Sequence, residues 1–176
     1  EYLYAGENLA RGFNTAAFLT RGIGYYENYK SQQKFSDYGL PAFVVNDSTF
    51  ETTDLVRQKW LDNYFYGQVL SAQFQKNKHD ITFGGGWTRY DGNHHGNVVW
   101  AQYGIDKDHT YYDLDALKSD VNAYFKWQYG LSKYWNLFAD LQYRHVRHKM
   151  NGFEDNPSLI VDRKFDFLNP KTGVKI

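Results

Sequence analysis

The stretch GNHHG at residues 92–96 sets two histidines side by side, His94 and His95. A pair of imidazoles can bind a transition metal, but a stable site needs further ligands that this stretch does not supply. On a regular strand the two rings would point to opposite faces, whereas in a loop they could converge. The sequence therefore predicts no metal site, and it favours a solvated loop tip over a ligand-binding pair.

Acidic residues form the next candidate cation site. Four aspartates lie in one polar stretch: Asp106, Asp108, Asp113 and Asp115. Calcium needs six to eight oxygen ligands, and the spacing lacks both the glycine and the closing glutamate of a helix–loop–helix calcium site. A solvated acidic loop is therefore the favoured interpretation. His145 and His148, three residues apart, would lie on opposite faces of a strand and would not chelate a metal together.

Catalytic motifs are missing from the sequence. It contains no Gly-x-Ser-x-Gly, no His-Glu-x-x-His and no phosphate-binding loop. Gly22 and Gly24 do not form a dinucleotide-binding fingerprint, because no third glycine or helical pattern follows them. We therefore expect a protein that is not an enzyme and that needs no cofactor.

The composition narrows the possible partners. The chain has 20 Lys and Arg against 20 Asp and Glu, and this neutral balance argues against nucleic-acid binding driven by phosphate neutralisation. It has no cysteine, and 19% of its residues are aromatic. Its mean hydropathy is −0.70, and no apolar run approaches the roughly 18 residues of a transmembrane helix. A membrane β-barrel is compatible with this value, since polar and apolar residues alternate along its strands.

Alternation with a period of two is the main structural signal. In SDVNAYFKWQYGL, residues 119–131, the odd positions from Val121 to Leu131 are apolar or aromatic, and the even positions are mostly polar. A helix would mix these two sets, so the pattern predicts a strand. Similar patterns predict strands at 16–30, 60–75, 79–90, 119–131 and 135–149. The fold class is therefore all-β, an antiparallel up-and-down meander of five to six long strands.

The predicted connections alternate between long and short. Long loops are expected at 31–59 and 91–118, with a long tail at 150–176, and tight turns separate the other strands. In a meander every second connection emerges at the same end of the sheet. Transmembrane barrels of bacterial outer membranes have short turns at one end and long loops at the other. The pattern thus favours a transmembrane β-barrel over a soluble sheet protein.

Polar residues mark one face of the last two predicted strands. They are Lys126, Gln128, Asp140 and Arg144. In a barrel such residues point into the lumen, where they could contact a plug domain or a passing substrate. Plain charge pairing between neighbouring strands explains them equally simply and is the favoured interpretation.

Four stretches resemble the barrel of TonB-dependent outer-membrane receptors, especially those of Bacteroidetes. They are LTRGIGYYENYK (19–30), FGGGWTRYDGNHHGNVVWAQYG (83–104), LFADLQYRHVRHKMNG (137–152) and DFLNPKTGV (166–174). This resemblance implies a receptor in the cell outer membrane that imports a siderophore, haem, cobalamin or a glycan. It also implies contact with the lipid bilayer, with a plug domain and, through the full-length protein, with the TonB complex. Residues expected in ligand-capturing loops are His94, His95, Trp100 and Tyr103.

The sequence 1–176 departs from the full receptor pattern, because it shows about five strands and no plug-domain pattern. The resemblance therefore implies that 1–176 is one segment of a larger transmembrane β-barrel. Such a piece cannot close into a wide barrel and would leave two unpaired strand edges. In isolation it is expected to curl into a two-layer sheet or to pair with copies of itself. The main alternative is a soluble β-sheet module that binds carbohydrate through exposed aromatic residues. A glycosidase using two carboxylates is a more distant third hypothesis.

The glycines of TRGIGYYENYK would weaken an ordinary strand, but they are compatible with a strand in a curved barrel wall. Gly22 and Gly24 share one face and could leave a slot that an aromatic ring from a neighbouring strand covers. Tyr25 and Tyr26 then take opposite faces. We expect Tyr26 to face outward together with the two glycines.

Overall fold

The structure is a computed structural model that describes residues 2–6 and 9–176, with side chains from residue 12 onward. Its strands are β1 (Tyr2–Gly6), β2 (Leu9–Lys34), β3 (Phe43–Val45), β4 (Ser48–Phe50), β5 (Thr52–Lys76), β6 (His79–Ala101), β7 (His109–Gly130), β8 (Asn136–Phe153) and β9 (Asn156–Lys175). One short 3₁₀ helix, Phe35–Tyr38, follows β2.

The long strands form one antiparallel sheet in the order β1-β2-β5-β6-β7-β8-β9. Apart from the small β3–β4 hairpin, each strand pairs with the next along the chain, which confirms the predicted all-β meander. The sheet is open. At one edge β1 pairs only with Leu9–Phe13 of β2, and β9 forms the other edge.

The strands extend well beyond the predicted bounds. The predicted loop 91–118 shrinks to the connection 102–108, and the predicted tail 150–176 contains β9. Only 35–51 is a long connection, and a two-residue turn joins β8 to β9, so the prediction of strictly alternating long and short links is wrong. The strands are longer than predicted because their polar ends still form backbone hydrogen bonds with the neighbouring strand. Asn93 pairs with Asp115, for example, and His145 pairs with Asp166.

The sheet has two faces, which we name after neighbouring residues of β7. The Phe125 face contains one unbroken apolar row across six strands: Phe13, Ala72, Phe83, Phe125, Leu141 and Pro170. The Lys126 face contains the adjacent polar row: Gln73, Thr82, Lys126, Asp140 and Lys171. Alternation along the strands separates apolar from polar side chains in these two rows, although some apolar residues, such as Phe138 and Phe167, also lie on the Lys126 face.

A second division runs across the strands. It follows the register row Leu19, Tyr66, Arg89, Ser119, Arg147 and Lys164. We call the part of the sheet that contains the tight turns 77–78 and 131–135 the turn half. The part beyond this row, which contains the 3₁₀ helix and the β3–β4 hairpin, is the loop half.

No second layer covers the turn half in the described part of the chain, so the expectation of a two-layer sheet is wrong. On its Phe125 face Phe125, Leu141 and Leu168 are 45%, 47% and 63% exposed. Hydrophobic side chains at this density are normally covered by protein, ligand or lipid. Self-association of the chain stays a prediction.

The two glycines of the opening strand lie on the Lys126 face. Gly22 pairs with Asn63 and Gly24 with Leu61, and the Lys126 face also includes Tyr26. Tyr26 thus shares a face with the two glycines, as expected, but this face contains the polar row rather than the apolar one. Which face is outward stays a prediction. No ring covers Gly22 or Gly24, because no aromatic atom of the described residues lies within 4 Å of an added Cβ at either position.

Candidate functional site

A small core covers the Lys126 face in the loop half. Tyr38, from the 3₁₀ helix, is 2% exposed and packs with Leu55 and Val98, which are fully buried. Its ring lies 4.8 Å from that of Tyr111, and its carbonyl oxygen lies 2.8 Å from Nε2 of His109. Gly39 ends the helix at φ 71°, a conformation that glycine adopts without strain. The segment 35–51 is therefore held down onto the sheet.

The loop half also curls toward the Lys126 face. Lys59 and Arg57 of β5 both form ion pairs with Glu154, which lies in the turn between β8 and β9. Arg57 Nη1 lies 3.6 Å from Glu154 Oε1. Because β6 and β7 separate these strands, a flat sheet would hold β5 and β8 about 14 Å apart. The ion pairs thus bring the β8–β9 turn back over the sheet and make this face concave.

A cavity of about 140 Å³ lies beneath that turn. Its lining comes from β6, β7, β8 and the turn: His94, Tyr112, Leu114, Asp115, Ala116, Met150, Gly152, Phe153 and Glu154. Apolar side chains supply much of the wall, and His94 and Tyr112 supply polar groups. The cavity is the candidate functional site, because it joins a concave shape to a few hydrogen-bonding side chains.

Neighbouring side chains position His94. The Tyr90 hydroxyl donates a hydrogen bond of 2.7 Å to Asn63 Oδ1 and lies 3.4 Å from His94 Nε2. Burial lowers the pKa of His94 below its usual range. Burial also raises the pKa of Tyr112 to about 12, and the negative charge of Glu154 acts in the same direction. Both rings are therefore uncharged near neutral pH.

The predicted histidine pair does not converge. His94 and His95 lie in β6, not in a loop, and point to opposite faces, as expected for a regular strand. His95 stacks on Trp60 with ring centroids 5.9 Å apart, and its Nδ1 lies 2.8 Å from Asn93 Oδ1. Of the pair, only His94 lines the cavity.

The other two predicted ligand-capture residues lie elsewhere in the loop half. Trp100 is in β6 and is 49% exposed. Tyr103 lies in the connection 102–108, where its ring stacks on Phe43 at 5.9 Å and contacts Phe50 at 5.0 Å. Tyr103 therefore anchors the β3–β4 hairpin to the sheet.

The four predicted polar residues share the Lys126 face. Lys126 and Asp140 are register partners. Arg144 forms an ion pair with Asp120, with Nε 2.9 Å from Oδ2, and Asp120 is only 7% exposed. Charge pairing between neighbouring strands is thus present at Arg144, in line with the simpler interpretation of this set.

The predicted acidic stretch holds no metal geometry. Asn93 donates hydrogen bonds to Asp113 and Asp115 at 2.6 and 3.0 Å, and these two aspartates lie in β7 rather than in a loop. Within residues 12–176, no group of three or more His, Asp or Glu side chains is arranged to hold a metal ion.

Sequence reasoning missed the residues that shape the site. Arg57 and Lys59 lay at the end of a predicted loop, and Glu154 and Met150 in a predicted tail. The available signal was the spacing of Arg57 and Lys59, which puts both on one face of a strand. Nothing in the sequence indicated that Glu154 would reach them.

A second groove, of about 470 Å³, lies on the Phe125 face of the loop half. Arg21 forms an ion pair with Asp62 there, and its guanidinium lies 4.2 Å from the centre of the Tyr64 ring. Arg147 and Asp162 form a further pair at 2.7 Å on this face. These paired charges end the apolar surface of the turn half.

Among the described residues, no helix is long and apolar enough to span a membrane. Comparison with models of known families, with curated proteins and with solved structures finds no match. The functional argument therefore depends on the residues and their geometry.

Proposed function

We propose that this chain is a piece of the barrel wall of a TonB-dependent receptor in the outer membrane, which imports a siderophore, haem, cobalamin or a glycan. The observation that carries the proposal is the shape of the apolar surface on the Phe125 face. In β2 this surface reaches Leu19, but Leu19 lies in register with Arg147 and Lys164 of β8 and β9. Its edge is thus diagonal to the strands, as a flat bilayer edge would be across tilted strands.

Aromatic residues follow that diagonal. Tyr66, Trp87 and Tyr143 mark the upper edge in β5, β6 and β8, each two residues lower in the register than the one before; β7 contributes Val121 at this edge. Trp127 and Tyr129 stack at the lower edge, with ring centroids 5.9 Å apart. Aromatic residues concentrate at both membrane interfaces of such barrels. The stretch from Val121 to Tyr129 also fits the about 9–11 residues of a tilted membrane-spanning strand.

Glycines on the Lys126 face support the same proposal. Several glycines there lie under aromatic rings from the neighbouring strand: an added Cβ at Gly84 would lie 2.6 Å from the Tyr124 hydroxyl, and one at Gly67 would lie 3.1 Å from the Phe18 ring. This glycine–aromatic pairing is a device of strongly curved sheets and barrels. In the proposed receptor the Lys126 face lines the lumen and faces the plug domain, and the loop half captures ligand outside the cell.

A soluble carbohydrate-binding module is the second candidate, and one cluster favours it. Tyr25, Trp60 and His95 lie in a row on the Phe125 face. The Tyr25 ring is tilted against Trp60 at a centroid distance of 4.4 Å, His95 stacks on Trp60 at 5.9 Å, and Tyr25 is 53% exposed. Exposed aromatic platforms of this kind can pack against sugar rings. Loss of glycan-array binding in a Trp60→Ala variant of a water-soluble chain would favour this candidate.

The five tryptophans provide the test of the proposal. Variants of the full chain that keep one tryptophan each are folded with vesicles that contain bromine-labelled lipids, which quench nearby fluorescence. We expect strong quenching of Trp87 and Trp127 and weak quenching of Trp60 and Trp100, which lie in the loop half. Equal quenching at all sites, or a fluorescence spectrum that does not respond to lipid, would overturn the proposal.

A further inference from the structure

We propose that the 140 Å³ cavity under the β8–β9 turn binds a small uncharged aromatic ring with one hydrogen-bonding substituent, as in a phenol. The inference deepens the proposed function by naming a ligand group for the concave loop half, and its biological setting rests on that function. Four properties of the cavity carry it: its size, its apolar walls, its unused polar groups and its lack of free charge.

The size suits one aromatic ring. A cavity of about 150 Å³ lined by aliphatic and aromatic side chains is large enough to take up benzene. The volume here is about 140 Å³. The volume accommodates one ring, so a fused ring system, a sugar chain or a metal chelate would extend beyond the pocket.

The walls are suited to an aromatic face. Leu114, Met150 and Phe153 contribute the apolar lining. A thioether makes favourable contacts with the edge of an aromatic ring, and Phe153 can add an edge-to-face contact. An aliphatic ring of the same volume would lack both contacts.

The polar groups have spare hydrogen-bonding capacity. Within residues 12–176, the one hydrogen-bond contact of His94 is the long 3.4 Å approach of Tyr90, and the Tyr112 hydroxyl makes none. A ligand hydroxyl would take up this spare capacity in place of water. These two side chains therefore point to one polar substituent on the ring.

Charge is neutralised around the cavity. The carboxylate of Glu154 is engaged by Lys59 and Arg57, and Asp115 accepts a hydrogen bond from Asn93 at 3.0 Å. The directions of the pKa shifts keep His94 and Tyr112 uncharged at neutral pH. A charged ring such as benzoate would lose its hydration here without gaining a free counter-charge.

The chain has a single methionine, Met150, and it lies in the cavity wall. The 176-residue chain labelled with ¹³C at the methionine methyl group therefore gives one NMR signal, which reports directly on the site. The protein is studied in lipid nanodiscs, or in buffer if the vesicle experiment fails. Phenol is titrated against toluene, cyclohexanol and benzoate.

We expect phenol to shift the Met150 signal in a saturable manner and to bind at least about threefold more tightly than toluene, the factor that one net hydrogen bond supplies. Cyclohexanol and benzoate should bind more weakly than phenol. A Leu114→Phe variant should fill the cavity and lower phenol affinity at least about tenfold. Its matched control, Leu61→Phe, lies outside the cavity lining on the same face and should leave phenol binding unchanged.

The variant His94→Leu tests whether the cavity binds phenol through a hydrogen bond or through apolar contacts alone. It should remove the preference for phenol over toluene and leave toluene binding intact. An unshifted Met150 signal, or equal phenol affinity in Leu114→Phe and Leu61→Phe, would overturn the inference. Because tryptophan quenching does not involve the cavity, it distinguishes failure of this inference from failure of the proposed function.

Discussion

The two halves of the sheet differ in how their apolar side chains are covered. In the turn half the apolar row on the Phe125 face is exposed, as Phe83 and Leu141 are at 43% and 47%, and apolar residues of the Lys126 face, such as Phe138 at 40%, are exposed as well. In the loop half the buried residues, among them Leu55 and Val98, lie on the Lys126 face, beneath the chain's own 3₁₀ helix. One half therefore carries its own cover, whereas the described residues provide none for the other half, for which we propose an external apolar partner. The buried core cluster lies in the loop half alone among the described residues.

Removal of the loop-half cover should have the largest effect. A Tyr38→Ala variant leaves a cavity at a site that is 2% exposed, and the cost for a large aromatic residue is about 3–5 kcal/mol. We expect hydrogen exchange to speed up at residues 35–51 and around Tyr111, with the turn half unchanged. The control Phe50→Ala, at a position 39% exposed, should have a clearly smaller effect. Uniform loss of protection over the whole sheet would contradict the division into halves.

Charge on the exposed apolar face should have the next largest effect, and it tests the external partner. Phe125→Arg puts a guanidinium in the middle of the apolar row and should cost about 2–4 kcal/mol for folding in a bilayer. The matched variant Ser119→Arg lies on the same strand and face at the border of the loop half, and should cost less than about 1 kcal/mol. Urea titration of chain folded in vesicles measures both. Equal costs would remove the evidence for a lipid-covered turn half.

Substitution of glycines on the Lys126 face provides a third comparison, in which a new side chain in a crowded position should cost about 1–3 kcal/mol of stability. In Gly84→Ala the new Cβ would lie 2.6 Å from the backbone oxygen of Leu70, so strands β5 and β6 must move apart. Gly24→Ala meets no described atom within 4 Å and should be neutral or slightly stabilising. Denaturant midpoints of the two variants make the comparison. A destabilisation of similar size at both positions would show that close strand approach is not the cause.

The smallest expected effect is a pH response confined to the loop half. The pKa of His94 is lowered by burial, so the folded state binds fewer protons than the unfolded state, whose histidine titrates near about 6.5. Stability from this residue is therefore present above that value and is lost as the pH falls below it. The protection of amides at residues 90–98, taken as their exchange rate relative to that of an unstructured peptide at the same pH, should fall between about pH 7 and pH 5, and His94→Gln should abolish the change. Persistence of the change in that variant would assign it to another group.

The sequence predicted the strands whose faces differ in polarity. Phe125 and Lys126 alternate so clearly that the strand and its pairing with β8 followed directly. The sequence did not predict the strand ends around Asn93 and Asp115, where both faces are polar. Apolar residues do not alternate with polar ones there, so the pattern gives no indication of a strand, although the backbone hydrogen bonds of the sheet continue. The candidate site could not be predicted from the sequence for another reason. The contact of Glu154 with Lys59 depends on curvature summed over three strand pairs, which local patterns do not encode.

The even number of long strands has a consequence for how this sheet can grow. Because β2 and β9 run in opposite directions, the two open edges have the same relation as any two neighbouring strands inside the sheet. Copies of the six-strand unit, or single added hairpins, could join at either edge and keep the tight turns at one end. The polarity of the faces would also continue unbroken. The segment is in this sense a modular unit, and duplication of hairpins could widen such a wall without redesigning it.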